Sequence, residues 1–376
     1  MTNLKRLFFI IYVFILFFIG DIIFSKVIID GNEQEQKKVR IFNPYYHHGF
    51  KENIKQNLSW SANFYKICTD HNTFLINCEK YNDKKKNIDK NEYDILFIGD
   101  SITEGLGYSY EETFPGQIEK LSEKRIANLA VLSYSPFLYY KKIQFFLEKK
   151  IKFKHLFVFI DPSDIQDDQN YLNLKNITNE KFFFENERDK KAVKNISDYL
   201  NSFDGNFRNF FSKNFLISYF IFKKLKIFYY DNFTKDQDLY FDKITWMDYN
   251  NSRVSWSYDS TFQGYSENGI DDEIKFSVSN MTKLSHLLEL NGIDLSVGVY
   301  PLPQNLRYEK NYSRYVQTWK NFCLKKCKNF IDFYPLFKKE KNFYETYKKY
   351  YIFNDVHFNK FSHKMIGKFL NDNINF

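Results

Sequence analysis

From Tyr93 onward, short apolar runs alternate with stretches of helical periodicity, and this rhythm constrains the fold more than any other feature. The predicted strands are 95–98, 125–131, 155–161, 294–300 and 329–333. The predicted helices are 113–124, 136–150, 274–291, 312–327 and one that begins near 360. Such alternation predicts an α/β chain, with a parallel sheet covered by helices on both faces.

Three further segments differ from this pattern. Residues 26–90 are polar and rich in Asn and Lys with little periodicity, which predicts an irregular N-terminal segment. Residues 168–270 lack the strand–helix rhythm and are interpreted as a long insertion within a domain that spans 91–376. Inside the insertion, the apolar stretch 215–222 is too short to cross a membrane. It is interpreted either as a buried cap helix or as an interfacial membrane contact.

The N-terminus has the pattern of an export signal. Lys5 and Arg6 precede thirteen uncharged residues, 7–19, and no small-x-small cleavage site follows. We therefore expect residues 1–25 to form an uncleaved signal anchor in the cytoplasmic membrane, although a buried core helix is the alternative. The basic residues would stay inside, which places the rest of the chain at the extracytoplasmic, periplasmic face.

Charge and composition exclude little beyond nucleic-acid binding. The formal net charge of +8 is spread along the chain and accompanies no nucleic-acid motif, so no such partner is expected. Aromatic residues make up 20% of the chain, so the presence of any one of them is weak evidence for a ligand-stacking site. In the insertion, Trp246, Trp256 and Tyr265 are either sugar-stacking or core residues.

The four cysteines fit an oxidising compartment. Cys68 and Cys78 lie ten residues apart and are predicted to close a short disulfide loop. Cys323 and Cys327 are one helical turn apart, so they either form a bridge or stand as adjacent thiols. His71 lies between the first pair, but a fourth ligand is lacking and no metal site is predicted.

The stretch LFIGDSITEG, residues 96–105, carries the first chemical signal. An apolar strand stops at a glycine and places Ser101 at a strand-to-helix turn, where its alternative role is a helix N-cap. A nucleophilic serine needs a base and a group that orients the base. The best candidates are His357 and Asp355 in NDVHFN, just before the final helix.

GDSITEG together with DVHFN resembles the SGNH/GDSL hydrolases, a family of esterases and acyltransferases with a flavodoxin-like sheet. The resemblance covers about 91–173 and 274–372. It implies Ser101 as nucleophile, His357 as general base and Asp355 as its orienting partner, with no cofactor or metal. The family commonly has Asp three residues before the histidine, where this chain has Asn354. The two-residue spacing is similar to members that acetylate or deacetylate polysaccharides outside the cytoplasm.

Two positions depart from the family pattern. Ser133 stands where the second signature usually has glycine, and Ser163 stands where the third usually has asparagine. The resemblance therefore implies an oxyanion hole formed by the backbone N–H groups of Ser101 and Ser133 and by the Ser163 hydroxyl. Asp100 and Asp164 are predicted to support the site.

These features predict a serine esterase or acyl hydrolase, acting outside the cytoplasm on ester substrates such as O-acylated carbohydrate. One alternative is an O-acetyltransferase for surface polysaccharide, which would need a membrane partner as acyl donor. The other alternative is a non-catalytic glycan-binding or assembly protein with a degenerate site.

Overall fold

The computed structural model describes residues 3–61, 63–79, 91–122, 124–172, 210–211, 213–235, 241, 253–309, 313–353 and 355–374. The strands in these ranges are β1 (Arg40–Asn43), β2 (His47–Phe50), β3 (Lys55–Trp60), β4 (Asn63–Cys68), β5 (Glu92–Gly99), β6 (Ile126–Asn128), β7 (Lys152–Ile160), β8 (Asp294–Val299) and β9 (Asn329–Asp332). The helices are α1 (Asn3–Val39), α2 (Ser101–Glu104), α3 (Phe114–Ser122), α4 (Pro136–Glu148), α5 (Asp164–Leu172), α6 (Leu216–Phe233), α7 (Ile270–Leu290), α8 (Pro303–Tyr308), α9 (Arg314–Cys323), α10 (Phe343–Tyr350) and α11 (Lys360–Asn373).

Strands β5 to β9 form one parallel sheet in the order β6-β5-β7-β8-β9. Numbered within the sheet, this is the order 2-1-3-4-5 of a flavodoxin-like, doubly wound fold. The predicted fold class is confirmed. In such sheets ligands bind at the carboxyl ends of the strands, where the strand order reverses, which here is the gap between β5 and β7.

Both faces of the sheet are buried, which explains the continuous apolar runs in the sequence. Leu96 and Ile98 of β5 pack on the face covered by α4, α7 and α9. Ile95 and Phe97 alternate with them and pack on the other face, against α3, α10 and α11. Packing on both faces therefore fixes the position of the residues at the carboxyl edge of the sheet.

The N-terminal segment that was predicted to be irregular contains two antiparallel hairpins, β1–β2 and β3–β4. Their strands are only four to six residues long and rich in polar residues, so periodicity does not reveal them. A disulfide joins Cys68, the last residue of β4, to Cys78. Between the two cysteines, the Leu75 backbone N–H donates to the Asn128 carbonyl of β6, at 2.9 Å. This segment is thus packed against the main sheet.

A second disulfide joins Cys323 to Cys327.

The ends of the predicted insertion belong to the core of the domain. Trp256 is buried and its indole N–H donates to the Pro162 carbonyl at 2.7 Å, so it is a core residue. The Tyr265 hydroxyl donates to the Arg253 carbonyl. Trp246 and most of 173–252 lie outside the described residues.

Helix α1 is longer than the predicted anchor and runs without a break from Asn3 to Val39. Within the described part of the chain, its first portion, Asn3–Val27, is the one helix long and apolar enough to cross a membrane, a property shared by membrane anchors and signal sequences. Its apolar side chains are exposed, so the alternative of a buried core helix is wrong.

Candidate active site

Ser101 lies at the carboxyl end of β5, beside the point where the strand order reverses. Residue 99, just before this turn, must be glycine because neighbouring atoms approach its Cα closely. A Cβ there would lie 2.3 Å from Thr103 Oγ1 and 2.8 Å from the Phe159 carbonyl oxygen of β7. Asp100 then caps α2, since its Oδ1 accepts a hydrogen bond from the Ile102 N–H at 3.0 Å. These contacts present the Ser101 side chain at the edge of the sheet.

The structure brings Ser101, His357 and Asp355 together. His357 Nε2 lies 2.9 Å from Ser101 Oγ, and His357 Nδ1 lies 2.5 Å from Asp355 Oδ1. Ser101 Oγ is also 3.2 Å from Asp100 Oδ2, so the imidazole is its nearer partner. The Asp355–His357–Ser101 chain of contacts is the arrangement in which a histidine can take the serine proton.

The charges around His357 favour its protonated form. Burial, the largest single effect, lowers the pKa of His357, but the Asp355 charge, its hydrogen bond to the imidazole and the charges of Asp100 and Asp161 together hold this pKa above its ordinary value. Burial would also raise the pKa of Asp355, yet His357 and the hydrogen bonds to the carboxylate lower it. Asp355 is therefore ionised at neutral pH and stabilises an imidazolium.

We expect kcat/KM for ester hydrolysis to fall with acidification, with a midpoint above pH 6.5, the ordinary pKa of histidine. A general base works only when it is neutral, and a raised His357 pKa moves the loss of that form to higher pH. A pH–rate profile checks this. Asp355→Asn removes the stabilising charge, so its residual activity should show a lower midpoint. A midpoint that does not move in this variant would contradict the assignment.

The loop that carries Asp355 and His357 is fixed by α10. The Tyr347 hydroxyl accepts from the Asp355 N–H at 2.8 Å and lies 2.7 Å from the Ile352 carbonyl oxygen. The Ile352 N–H in turn donates to the His357 carbonyl at 2.9 Å. Asn354, at the position where the family commonly has Asp, lies outside the described residues.

Trp60 is a site residue that the sequence motifs did not reveal. It ends β3 in the N-terminal segment, and its indole Nε1–H donates to Asp355 Oδ2 at 2.8 Å. Its ring also packs edge-on against the His357 imidazole, with centroids 5.5 Å apart. Trp60 therefore holds the carboxylate by Oδ2, the oxygen that the imidazole does not contact.

Trp60→Phe should lower kcat about tenfold with little change in KM, because it deletes a hydrogen bond to a charged, buried carboxylate but keeps most of the ring. Steady-state kinetics on a short aryl ester would show this. Trp319→Phe, on the remote α9, is the matched control and should leave kcat unchanged. Equal effects of the two substitutions would show that Trp60 acts only through general stability.

The Ser133 turn is held in the shape that a glycine usually adopts. Ser133 has φ of 61°, in the left-handed region, at a cost of about 1–2 kcal/mol for a residue with a Cβ. The turn is fixed on both sides: the Leu132 N–H donates to Glu104 Oε2 at 2.8 Å, and the Ser133 carbonyl accepts from the Tyr171 hydroxyl at 2.7 Å. Within the described residues, the backbone N–H groups of Ser101 and Ser133 have no hydrogen-bond acceptor.

Ser163 makes a different contact from the one predicted. Its hydroxyl donates to Asp161 Oδ1 at 2.6 Å, and its backbone N–H donates to the same oxygen at 2.8 Å. A serine hydroxyl has a single proton. In this arrangement that proton stabilises the Asp161 carboxylate.

We expect Ser163→Ala to lower kcat by less than about tenfold. Removal of an oxyanion-hole donor costs about 100- to 1000-fold, whereas the observed bond to Asp161 gives Ser163 a supporting role. Single-turnover ester hydrolysis distinguishes the two. A loss of 100-fold or more would mean that the hydroxyl rotates toward the substrate during the reaction.

Asp100 and Asp164, the predicted supporting residues, belong to one buried cluster with Asp161. Oxygens of the three carboxyl groups lie within 4.8 Å of one another, a donor set that suits a hard cation. The carboxyl groups already accept from protein donors, among them the Tyr139 hydroxyl, 2.7 Å from Asp164. Burial and the Asp161 charge raise the pKa of Asp100 to about 8, and burial with the neighbouring carboxylates raises the pKa of Asp164. Beside Ser101, these shifts favour the protonated forms of Asp100 and Asp164.

Comparison with known proteins gives structural neighbours only. No family model matches the sequence, and no curated protein matches it. Among solved structures, a lipolytic protein of the G-D-S-L family from Desulfitobacterium hafniense DCB-2 is similar, with 10% identity, a TM-score of 0.37, and coverage of 75% of this chain and 99% of that one. An acylhydrolase from Bacteroides fragilis NCTC 9343 is similar at 11% identity, with a TM-score of 0.34 and coverage of 79% and 94%.

Proposed function

We propose that this protein is a serine hydrolase of the SGNH/GDSL type that cleaves ester bonds. The observation that carries the proposal is the continuous contact from Asp355 through His357 to Ser101, at the carboxyl edge of a flavodoxin-like sheet. The motif resemblance to SGNH/GDSL hydrolases supports the same class.

In the proposed mechanism, Ser101 Oγ attacks the ester carbonyl while His357 Nε2 takes its proton. Asp355 keeps Nδ1–H oriented and stabilises the imidazolium. The N–H groups of Ser101 and Ser133 stabilise the oxyanion, because a backbone donor survives any change of side chain. His357 then returns the proton to the departing alcohol, and water or a sugar hydroxyl releases the acyl group from Ser101.

We also propose an extracytoplasmic setting, with α1 as an uncleaved anchor. Two disulfides support an oxidising compartment. O-acylated carbohydrate is the proposed substrate class. Transfer to a polysaccharide hydroxyl is the alternative outcome of the same chemistry, with an acyl donor from a membrane partner.

The test uses the full-length protein in detergent, with a fluorophosphonate probe and an aryl acetate. We expect one probe adduct on Ser101, found by peptide mass spectrometry, together with ester hydrolysis that the probe abolishes. Labelling without hydrolysis would favour a transferase that lacks its acceptor or donor. No adduct on Ser101 would contradict the enzyme proposal and favour the glycan-binding alternative.

A further inference from the structure

Helix α6 carries an exposed apolar stripe. Phe222, Leu225, Tyr229 and Phe233 follow one another at intervals of three or four residues, so they share one face of the helix. Their side chains are 56–68% exposed, and no side chain of α6 is buried. The interpretation of this segment as a buried cap helix is therefore wrong.

Other faces of α6 are attached to the rest of the domain. Tyr230 stacks on Tyr344 of α10 with centroids 6.2 Å apart, and Asp231 forms an ion pair with Lys348 of α10 at 2.7 Å. Lys223 Nζ lies 3.5 Å from the Ser61 carbonyl oxygen. These contacts fix the rotation of α6 about its axis, so the apolar stripe is held away from the protein.

The amino terminus of α6 is attached to α1. The Asp21 carboxylate accepts from the N–H groups of Ile217 and Ser218 at 2.8 and 2.9 Å, and Ser25 Oγ accepts from Leu216 N–H at 2.6 Å. Asp21 is 1% exposed although it lies in an otherwise apolar stretch of α1. This explains why an acidic residue is present there: it caps α6 and holds it near the carboxyl end of the membrane-compatible portion.

The apolar surface of α6 is continuous with that of α1. Phe215, which precedes α6, packs edge-on against Phe18 of α1 with centroids 5.8 Å apart. The exposed side chains of α1 from Leu7 to Phe24 are those that a bilayer would cover. A helix that begins beside this surface and presents aromatic and aliphatic side chains outward meets the same lipid.

We propose that α6 is an interfacial membrane helix, whose apolar stripe is embedded in the bilayer that α1 crosses. With 18 residues and Lys223, Lys224 and Lys226 near its middle, it lies along the surface and does not cross the membrane. Its contacts with α10, which fixes the Asp355–His357 loop, place the active site at the lipid surface. The inference rests on α1 as an anchor and is independent of ester hydrolysis.

The test uses the full-length protein in phosphatidylethanolamine–phosphatidylglycerol nanodiscs, with a nitroxide on Phe222→Cys and, separately, on Tyr229→Cys. The four native cysteines are in disulfides, so the introduced thiol is the one labelled. The control is Leu290→Cys at the end of α7, an equally exposed apolar residue that precedes β8 and so lies at the sheet edge opposite Ser101. Power-saturation EPR measures collision with oxygen, which partitions into lipid, and with a water-soluble nickel chelate.

We expect the oxygen-to-nickel ratio at both α6 positions to exceed that of the control at least fivefold. A ratio equal to the control would show that the stripe faces water and would overturn the proposal. Low collision with both reagents would also overturn it, because a second copy or another protein would then cover the stripe. Two labelled positions keep the test valid if one variant folds poorly.

Discussion

Ser101→Ala and His357→Ala should each lower kcat for ester hydrolysis by about 10⁴-fold or more, and the double variant should lose no more than either single variant. The reason is that Ser101, His357 and Asp355 act as one unit. Without His357, the Ser101 hydroxyl keeps its proton and is a weak nucleophile, and without Ser101 the imidazole has nothing to activate. Residual hydrolysis would come from the oxyanion donors and from substrate binding alone.

Stopped-flow or long-term endpoint hydrolysis of an aryl acetate covers the required range of rates. Ser122→Ala and His286→Ala are matched controls, since Ser122 donates to a helical carbonyl on α3 and His286 is a solvent-exposed residue of α7. Both controls should keep wild-type rates. Losses that multiply in the Ser101/His357 double variant would show that the two residues act independently, which the triad does not allow.

Arg40→Ala should lower the free energy of unfolding by about 3–5 kcal/mol, the usual effect of removing one partner from a buried ion pair. The Arg40 guanidinium faces both Glu104 oxygens, at 3.0 and 2.6 Å, and the side chains are only 5% and 2% exposed. Burial, the largest single effect, lowers the pKa of Arg40, but the charge and hydrogen bond of Glu104, with smaller contributions from Tyr65 and Tyr134, together raise this pKa. After the substitution, Glu104 would remain buried without its cation. The Leu132 N–H bond to Glu104, which fixes the Ser133 turn, would also weaken.

Urea denaturation of the full-length protein in detergent, followed by near-UV circular dichroism, measures this loss. Lys152→Ala is the control, because its ion pair with Glu92 is exposed and should contribute about 0–1 kcal/mol. Adding Glu104→Gln to Arg40→Ala should recover part of the stability by removing the unpaired charge. Equal losses for Arg40→Ala and Lys152→Ala would contradict the role of the buried pair.

The parts of the molecule that the sequence predicts are those with strong local signals. Strand β5 contains the uninterrupted apolar run 95–98, and α4 begins at Pro136, as the Ser–Pro start signal predicts. Because the sheet is buried on both faces, its strands appear in the sequence as apolar runs between polar loops. The GDSITEG motif can be located because it follows the apolar run of β5, and the DVHFN motif because it precedes α11.

The parts that the sequence did not predict depend on contacts between distant segments. Trp60 and Asp355 are 295 residues apart, and Arg40 and Glu104 are 64 apart, so no local pattern joins either pair. Ser163 occupies the position that the family pattern indicates, but only the structure shows that its hydroxyl donates to Asp161. The outward face of α6 likewise follows from tertiary contacts with α1 and α10.

The direct passage from α1 into the folded domain also limits which substrates can be reached. Val39 ends α1 and Arg40 begins β1, and both side chains are buried. Helix α1 is therefore joined to the domain without a flexible linker. Val39 lies twelve residues beyond Val27, a rise of about 18 Å along the helix. Because α6 also attaches to α1 at Asp21 and Ser25, the domain is held at a fixed height relative to the proposed anchor. Esters carried on long, freely diffusing polymers would have to approach that height, whereas groups displayed close to the lipid surface would already be within range.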